Sequence, residues 1–484
     1  MTPETLRVRG ERMCEELGLE SYRTGAGLAA ESHFERIFAR YPDLTDAEAV
    51  EAARGRPPLL EWVVDNRIGR AVAALDDRLH GWESRAAVAV AGGETIPYQR
   101  AAIEIANEPR RARRLAIDAA RRAILGEPTA IRRERLERER DLLAALGLGD
   151  PVVARSALSG IALRELGESC RRFLAATEDL YRDTLRDELE NEPDIPAGGA
   201  ERSDAVWLFR GAAFDDCFPG GSLVSTAQRQ LGELGLDATA GGRIRYDTED
   251  RPLKRARAFC APVRIPDEVY LVIRPYGGHT DYRAFWHELG HAQHFGNADA
   301  ALPFEHRWLG DSSVTEAFAM LFEHMVLAAP WLARYAGLRG ERGRAFARTQ
   351  AFAHLSMLRR YAAKLRYELE LYGAPTIALG AEAYAPLLTE ATGFRYAPED
   401  ALLDLDDGFY AARYLRAWQL EALLAASLTE RFDADWFRNP RGGPALLELF
   451  APGQRDDAAT LARTVLSRTL DFAPLTARVE AALA

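Results

Sequence analysis

The sequence predicts a mainly α-helical protein with one small β-sheet, on three observations. Apolar residues recur every three or four positions through most of residues 1–190, a spacing typical of helices that bury one face. Residues with strand propensity follow in three short runs, 205–209, 257–263 and 268–274, and we expect these to be the strands. Helical spacing then returns from about residue 311 to the end of the chain.

The clearest break in the chain lies at residues 191–199, where proline and glycine interrupt any helix. A chain of 484 residues can bury one large core or form two lobes with a cleft between them. We therefore expect a helical N-terminal lobe over residues 1–190 and a second lobe over residues 191–484, which contains the motif described below.

The composition is that of an ordinary globular protein, with 48% hydrophobic and 28% charged residues. The net charge of −11 argues against nucleic-acid binding, which needs a basic surface. The sequence contains no apolar run of the roughly 18 residues needed to span a membrane and no pattern of a signal peptide. Four cysteines lie far apart without a metal-binding spacing, so we expect reduced thiols and a cytoplasmic location.

One short motif stands out, His287-Glu288-Leu289-Gly290-His291, in a segment that we expect to be helical from Thr280 or Asp281 to Gly296. Residues four apart lie on the same face of a helix, so His287 and His291 can hold a single metal ion. Glu288 lies beside that face, where a carboxylate can take a proton from water activated by the metal. The apolar stripe is supplied by other residues, so the histidines are not needed to fill the core. The motif therefore predicts a zinc-dependent hydrolase.

A catalytic zinc usually has three protein ligands, and the motif supplies two. A third histidine six residues after His291 would complete one known pattern, but Asn297 occupies that position. His294 is one of the other candidates, yet seven residues of helix separate it from His287 by about 10.5 Å along the axis. We expect His294 to lie close to the ligands or the substrate, or to have a structural role.

The remaining possibility is a glutamate from a second helix, which we expect to begin after Gly310. Glu316 and Glu323 lie seven residues apart on one stripe of this amphipathic helix, so both can face the motif. Glu316 has a competing role as the partner of Ser313 in a capping box. Spacing alone leaves Glu305, Glu316 and Glu323 as possible ligands.

The segment from Phe285 to His294 resembles the signature of the thimet oligopeptidase and oligopeptidase F family of zinc peptidases. That family has a glycine before the second histidine and a further histidine three positions after it. Its third ligand is a glutamate on a following helix, with another glutamate seven residues beyond. The resemblance therefore implies Glu316 as the ligand, with Asp311 and Glu323 orienting the histidines. It covers residues 250–330, including Lys254 to Pro262, and more loosely residues 400–420.

The resemblance also implies a site for groups that stabilise an oxyanion, at residues 404–418. Asp404 stands where the family has histidine, and an ionised carboxylate cannot donate a hydrogen bond to an oxyanion. Tyr410 and Tyr414 are our candidates for that donor role, and His279 in the loop before the motif is a weaker one. Arg413 and Arg416, where thimet-type members have tyrosines, are candidates to bind a substrate carboxylate. Simple helix packing is the alternative for these aromatic residues.

We therefore expect a zinc metalloendopeptidase that cleaves short peptides, with zinc at His287, His291 and Glu316 and with Glu288 as general base. The resemblance implies a two-lobed helical fold with a deep central cleft that restricts the substrate to oligopeptides. The strand at 268–274 is expected either to pair with an extended peptide as an edge strand or to support the site as a buried strand. Two alternatives are a zinc carboxypeptidase of similar helical fold and a non-catalytic zinc protein that binds peptides.

Overall fold

The computed structural model describes residues 1–192, 194–196, 198–255 and 257–483. Within these residues the chain is mainly α-helical with a few short strands, which confirms the predicted class. The helices are α1 (Pro3–Gly25), α2 (Phe34–Arg40), α3 (Ala47–Ala53), α4 (Pro57–Arg85), α5 (Tyr98–Asn107), α6 (Arg111–Ala123), α7 (Gly126–Ala145), α8 (Pro151–Ser159), α9 (Leu163–Ala176), α10 (Glu178–Glu190), α11 (Arg202–Leu208), α12 (Leu223–Leu234), α13 (His279–Gly296), α14 (Phe304–Trp308), α15 (Ser312–Met325), α16 (Ala329–Trp331), α17 (Gly340–Gly373), α18 (Ile377–Ala381), α19 (Tyr384–Thr392), α20 (Tyr410–Phe432), α21 (Gly442–Phe450), α22 (Ala458–Thr464) and α23 (Ala473–Leu483).

The strands form one hairpin and one three-stranded sheet. They are β1 (Ala87–Val90), β2 (Glu94–Pro97), β3 (Ile244–Asp247), β4 (Phe259–Arg264) and β5 (Glu268–Val272). The hairpin pairs β1 with β2, and the sheet has the order β3-β5-β4, with β3 parallel and β4 antiparallel to β5. Among the described residues, no helix combines the length and the apolar character needed to cross a lipid bilayer.

The chain divides into two compact units, and each unit combines distant segments. The first unit contains residues 1–67, 212–347 and 416–475, and the second contains residues 68–211, 348–415 and the chain from Thr476 onward. The predicted boundary at residue 190 lies inside the second unit, and the predicted linker includes Pro193 and Ala197, which are outside the described residues. The units differ from the predicted lobes because α1 packs against β4, more than 200 residues later, a pairing that no local pattern signals.

In the first unit, β4 packs against both α1 and α13, and β5 packs against α13. Tyr22 of α1 stacks on Tyr270 of β5 with the ring centroids 3.7 Å apart. The neighbours of Tyr270, Val269 and Leu271, are fully buried and point to the opposite face, because side chains alternate along a strand. The helix α13 packs in turn along α15, so the sheet supports one side of α13 and α15 supports another.

Two of the three predicted strands are confirmed, 257–263 as β4 and 268–274 as β5, with bounds that differ by about two residues. The predicted strand at 205–209 is wrong, because α11 occupies this segment. Glu201 and Asp204 form a capping box at its start, in which the Asp204 carboxylate accepts the main-chain N–H of Glu201 at 3.0 Å. This reciprocal cap outweighs the strand propensity of the apolar residues that follow. Strands β1, β2 and β3 were not predicted.

In the second unit, α17 carries a charged cluster that binds residues 404–407. Arg360 pairs with Asp404, and Lys364 Nζ lies 2.8 Å from Asp406 Oδ2. The side chain of Glu368 is fully buried, and its Oε1 accepts the main-chain N–H of Asp406 at 3.2 Å. Burial raises the pKa of Glu368 to about 8, although the charge of Lys364 acts in the opposite direction. This carboxyl is therefore more easily protonated in the folded chain than in the unfolded chain.

We predict that Glu368→Gln increases the free energy of unfolding, and that the increase is larger at pH 8 than at pH 5. A raised folded-state pKa means that the folded chain binds the proton more tightly, so the wild-type protein loses stability as the pH rises from about 5 to 8. Glutamine cannot ionise, yet its carbonyl oxygen can still accept the Asp406 amide. One pKa unit corresponds to about 1.4 kcal/mol, so the gain at pH 8 should be about 2–4 kcal/mol.

Denaturant unfolding at pH 5, 6.5 and 8 measures this effect. Glu370→Gln is the matched control, because Glu370 is exposed on the same helix. An equal change in stability at pH 5 and pH 8 would contradict the prediction.

Candidate metal centre

The helix that carries the motif, α13, begins at His279, just before the predicted start, and ends at Gly296 as predicted. Gly278 precedes the helix with a φ of +88°, a left-handed conformation that favours glycine. Asp281, one of the predicted caps, lies in the first turn instead. Its carboxylate accepts the N–H groups of two residues in the preceding loop at 2.9 and 2.8 Å. These hydrogen bonds tie the loop to the start of the helix.

Gly290, inside the motif, sets the distance between α13 and α15. A Cβ atom at this position would lie 2.6 Å from Ala319 Cα and 2.7 Å from the main-chain oxygen of Phe318. Real Cβ atoms do not approach other atoms so closely, so the two helices touch through their main chains at this point. The predicted apolar stripe of α13 is buried, as the accessibilities of Tyr282, Phe285, Trp286, Leu289 and Ala292 confirm.

The close contact brings Glu316 of α15 to both histidines of α13. Glu316 Oε2 lies 3.4 Å from His287 Nε2 and 3.6 Å from His291 Nε2. One potential ligand atom of each of the three residues lies within 4.8 Å of those of the other two. This group could therefore hold a metal ion. A tetrahedral zinc site with bonds of about 2.0–2.1 Å separates neighbouring ligand atoms by about 3.3–3.4 Å. The two nitrogen–oxygen distances are close to that spacing.

The electrostatics of this group favour a positive charge between the helices. Burial disfavours the charged form of His287, but its hydrogen bonds to Glu316 and Glu323 prevail and raise its pKa to about 10. Burial likewise opposes the ionised form of Glu316, while the neighbouring imidazoles hold the pKa of this carboxyl well below its usual range. A bound cation would take the place of the proton that these carboxylates attract.

The other nitrogen of each imidazole has its own partner. His287 Nδ1 lies 3.0 Å from Glu323 Oε2, and His291 Nδ1 lies 2.9 Å from the hydroxyl of Thr315. Partners at Nδ1 leave both Nε2 atoms directed at Glu316, as in metal sites where the partner fixes the ring tautomer. Glu323 therefore occupies the position that its predicted orienting role requires. Thr315 was not singled out from the sequence, where its only signal is its place beside Glu316.

Glu288 has a partner on the sheet rather than on a helix. Its Oε2 accepts the main-chain N–H of Cys260, on β4, at 2.8 Å. The hydrogen bond ties one carboxylate oxygen of Glu288, the residue after the candidate ligand His287, to the sheet. Sequence reasoning could not find this contact, because every residue except proline has the same main-chain donor.

Glu305, a possible ligand, and Asp311, which was expected to orient the histidines, have other partners. Glu305 accepts from Arg7 Nε, with both oxygens at 3.0 Å. Asp311 is the N-cap of α15, and its Oδ1 accepts the N–H of Ser313 at 3.0 Å. Its Oδ2 accepts the N–H of Ala458 at 3.1 Å. Because Asp311 caps the helix one residue before Ser312, Ser313 is inside α15, and the predicted capping box between Ser313 and Glu316 is wrong.

The histidines at the two ends of α13 are both buried. His294 Nε2 lies 3.2 Å from the main-chain oxygen of Gly453, and burial lowers the pKa of this histidine to about 4. His294 therefore connects α13 to the loop after α21. This contact corresponds to the structural role, one of the two roles predicted for His294. His279 Nδ1 lies 3.4 Å from Asp215 Oδ1, and its ring packs against Phe346. His279 is thus the first residue of the helix rather than a loop donor.

The residues expected to stabilise an oxyanion belong to the second unit. Tyr410 and Tyr414 contact each other with ring centroids 5.0 Å apart, and Tyr414 also contacts Tyr361. Asp404 accepts from the hydroxyl of Tyr384 at 2.7 Å and pairs with Arg360. Burial opposes its ionisation, but neighbouring arginines hold the pKa of Asp404 well below its usual range. Asp404 is thus a structural acceptor in an ion-pair cluster.

The two arginines considered for carboxylate binding are largely covered. Arg413 is buried in the second unit. In the first unit, Arg416 Nη2 lies 3.4 Å from Asp311 Oδ2, and only 14% of its side chain is exposed. The neighbour of Arg416 is therefore Asp311, the residue that caps α15.

The strand at 268–274 does not lie at an edge of its sheet. It forms β5, which is hydrogen-bonded to β3 on one side and to β4 on the other. The predicted pairing of this strand with a peptide is therefore wrong, and the alternative of a supporting strand is confirmed. The strand beside Glu288 is β4, which has a neighbouring strand on only one side within the described sheet.

A comparison with models of known protein families found no match for this chain, and a comparison with curated proteins found none either.

We predict that Glu316→Gln weakens zinc binding by more than about 100-fold, because even the loss of a residue that only orients a ligand typically costs about 10–100-fold. Glu305→Gln should bind zinc as the wild type does, since Glu305 pairs with Arg7. Competition with a chromophoric chelator measures both affinities. Equal affinities of the two variants would exclude Glu316 as a ligand.

Proposed function

We propose that this chain is a zinc-dependent metallopeptidase that cleaves short peptides. The observation that carries the proposal is the grouping of His287, His291 and Glu316, whose ligand atoms lie within 4.8 Å of one another, with Glu288 following His287 in the chain. A purely structural zinc site uses four protein ligands and needs no base. Two imidazoles and one carboxylate leave a position open, which is typical of catalytic zinc sites.

The same ligand set favours zinc among the common metals. Imidazole nitrogen suits zinc, copper and iron, whereas magnesium and calcium prefer sites built from oxygen. When bound, zinc would supply Lewis-acid chemistry, polarising a carbonyl group and making water nucleophilic near neutral pH. His287 and His291 would hold it through Nε2, since Glu323 and Thr315 occupy the Nδ1 positions.

Glu288 has the role of general base in this proposal. One of its oxygens accepts the Cys260 amide, so this hydrogen bond limits how the carboxylate can turn. It accepts a proton from the attacking water and then donates that proton to the leaving amine. The same carboxyl group thus acts first as a general base and then as a general acid. Tyr410 and Tyr414 remain our candidates for donors to the oxyanion.

The choice of peptide as substrate rests on a resemblance of sequence. The residues around the motif resemble those of the thimet oligopeptidase and oligopeptidase F family, whose members act on short peptides within a deep channel. The four cysteines are all free, which supports a reducing compartment and the cytoplasmic location proposed here.

We predict that Glu288→Gln keeps zinc affinity close to that of the wild type and reduces peptide cleavage by about 100-fold to 10,000-fold, the usual contribution of a general base. The glutamine oxygen can still accept the Cys260 amide, so the fold should not change. Cleavage is measured by mass spectrometry of a mixture of short peptides, and zinc by metal analysis of the purified protein. Glu233→Gln, on α12, is the control.

Undiminished cleavage by the Glu288→Gln variant would refute this mechanism. A variant that lost both zinc and activity would instead place Glu288 among the groups that hold the metal.

Carboxypeptidase action is the alternative, and the surroundings of Arg416 give it less support, because Asp311 already lies 3.4 Å from that side chain. We predict that a peptide with an amidated C-terminus is cleaved at a rate within about threefold of the free acid. An arginine that binds the terminal carboxylate would instead make the amide a much poorer substrate, by about 2 kcal/mol or more for a lost charge-assisted hydrogen bond. Parallel time courses of the two peptides measure the difference.

A further inference from the structure

Arg283 lies one helical turn before His287, on the same face of α13, and the mechanism above gives it no role. Its guanidinium donates to a single oxygen of Glu323 on α15, from Nε at 3.2 Å and from Nη2 at 2.6 Å. About a quarter of the arginine side chain is exposed, at 27%. This contact therefore lies at the margin of the metal centre, partly shielded from solvent.

The two oxygens of Glu323 have different partners. Oε1 accepts from Arg283, whereas Oε2 lies 3.0 Å from His287 Nδ1. Arg283, Glu323 and His287 thus form a continuous path that leaves α13, reaches α15 and returns to the metal-binding imidazole. His291 has no such arrangement, because its Nδ1 partner is the hydroxyl of Thr315.

A glutamate side chain can rotate about three bonds, and one hydrogen bond to an imidazole does not fix its orientation. Two donors from the rigid guanidinium restrict Glu323 to the orientation in which Oε2 meets Nδ1. The arginine also offsets the charge of the Glu323 carboxylate, and Glu316 lies at the other nitrogen of the same imidazole. Without this positive charge, mutual repulsion would favour movement of Glu323 toward solvent.

We propose that Arg283 is a positioning residue of the metal centre, which acts through Glu323 to direct His287 Nε2 at the ion. The inference rests on the metal centre of the proposed function and adds a residue that contacts neither metal nor substrate. Arg283 affects one of the two histidine ligands, so its loss should weaken the site without abolishing it.

The test is a set of zinc affinities for the full chain, measured by competition with a chelator, together with the visible spectra of the cobalt-loaded proteins. Arg283→Met should weaken zinc binding by about 10-fold, the lower end of the range for groups that orient ligands. It should also alter the cobalt absorption bands, which respond to the geometry of the ligands. Arg283→Lys keeps the charge without the planar fork and should restore part of the affinity.

A double-mutant cycle asks whether Arg283 acts through Glu323. In a Glu323→Gln background, Arg283→Met should cause no further loss of affinity, because the residue through which it acts is already changed. Arg334→Met is the matched control, since Arg334 makes a similar two-point contact with Glu233 in the same unit, at 2.9 and 2.7 Å. Its zinc affinity and cobalt spectrum should be those of the wild type.

The possible results separate this inference from the proposed function. Wild-type affinity and an unchanged cobalt spectrum in Arg283→Met would overturn the role of Arg283 and leave the metal centre intact. Fully additive losses in the cycle would also overturn it, because Arg283 would then act independently of Glu323. A wild-type chain that binds neither zinc nor cobalt would overturn the metal centre itself, and the positioning role with it.

Discussion

The candidate metal centre depends on one contact, the main-chain approach of α13 and α15 at Gly290. Any side chain at this position would collide with Ala319 and Phe318, and α15 would have to move outward. The carboxylate of Glu316 reaches the histidines from α15, and a shift of 1 Å is a large fraction of a metal–ligand bond of about 2 Å. The same displacement would separate Glu323 from His287. The glycine in the motif thus sets the geometry of the ligand group without binding anything itself.

The charges around this contact explain why a cation suits the position. Glu288, Glu316 and Glu323 bring three carboxylates to two adjacent helices, and burial makes each negative charge costly unless it is compensated. Main-chain and side-chain donors compensate two of them, the Cys260 amide at Glu288 and Arg283 at Glu323. Glu316 faces the two imidazoles, which are neutral donors of electron pairs when they bind metal. Its charge is therefore the one best compensated by an ion, and the raised pKa of His287 reflects the same preference for positive charge.

The sequence predicted those parts of the fold that local patterns determine. The helical class, the end of α13 and the strands β4 and β5 follow from periodicity and from glycine or proline breaks. The hairpin was missed because Val88 and Val90 alternate with alanines in a segment that looks helical, although Gly92 and Gly93, both with positive φ, mark its turn. The packing of α1 against β4 could not be predicted for a different reason. It joins distant segments, and composition along the chain does not show which of them pack together.

The same distinction applies to the site. Residue types at helical spacing were sufficient to propose His287 and His291, because ligands have to be particular side chains at particular intervals. Spacing alone left three glutamates open as the third ligand, and only the resemblance to a peptidase family favoured Glu316. The residues that hold those ligands in place have weaker requirements, since any donor or acceptor of suitable reach will serve. Three different groups each make a hydrogen bond to a residue of the candidate site. They are the hydroxyl of Thr315, the main-chain amide of Cys260 and the guanidinium of Arg283. Each becomes recognisable only once the packing of α13 against the sheet and α15 is known. The candidate ligands were therefore easier to propose from the sequence than the groups that contact them.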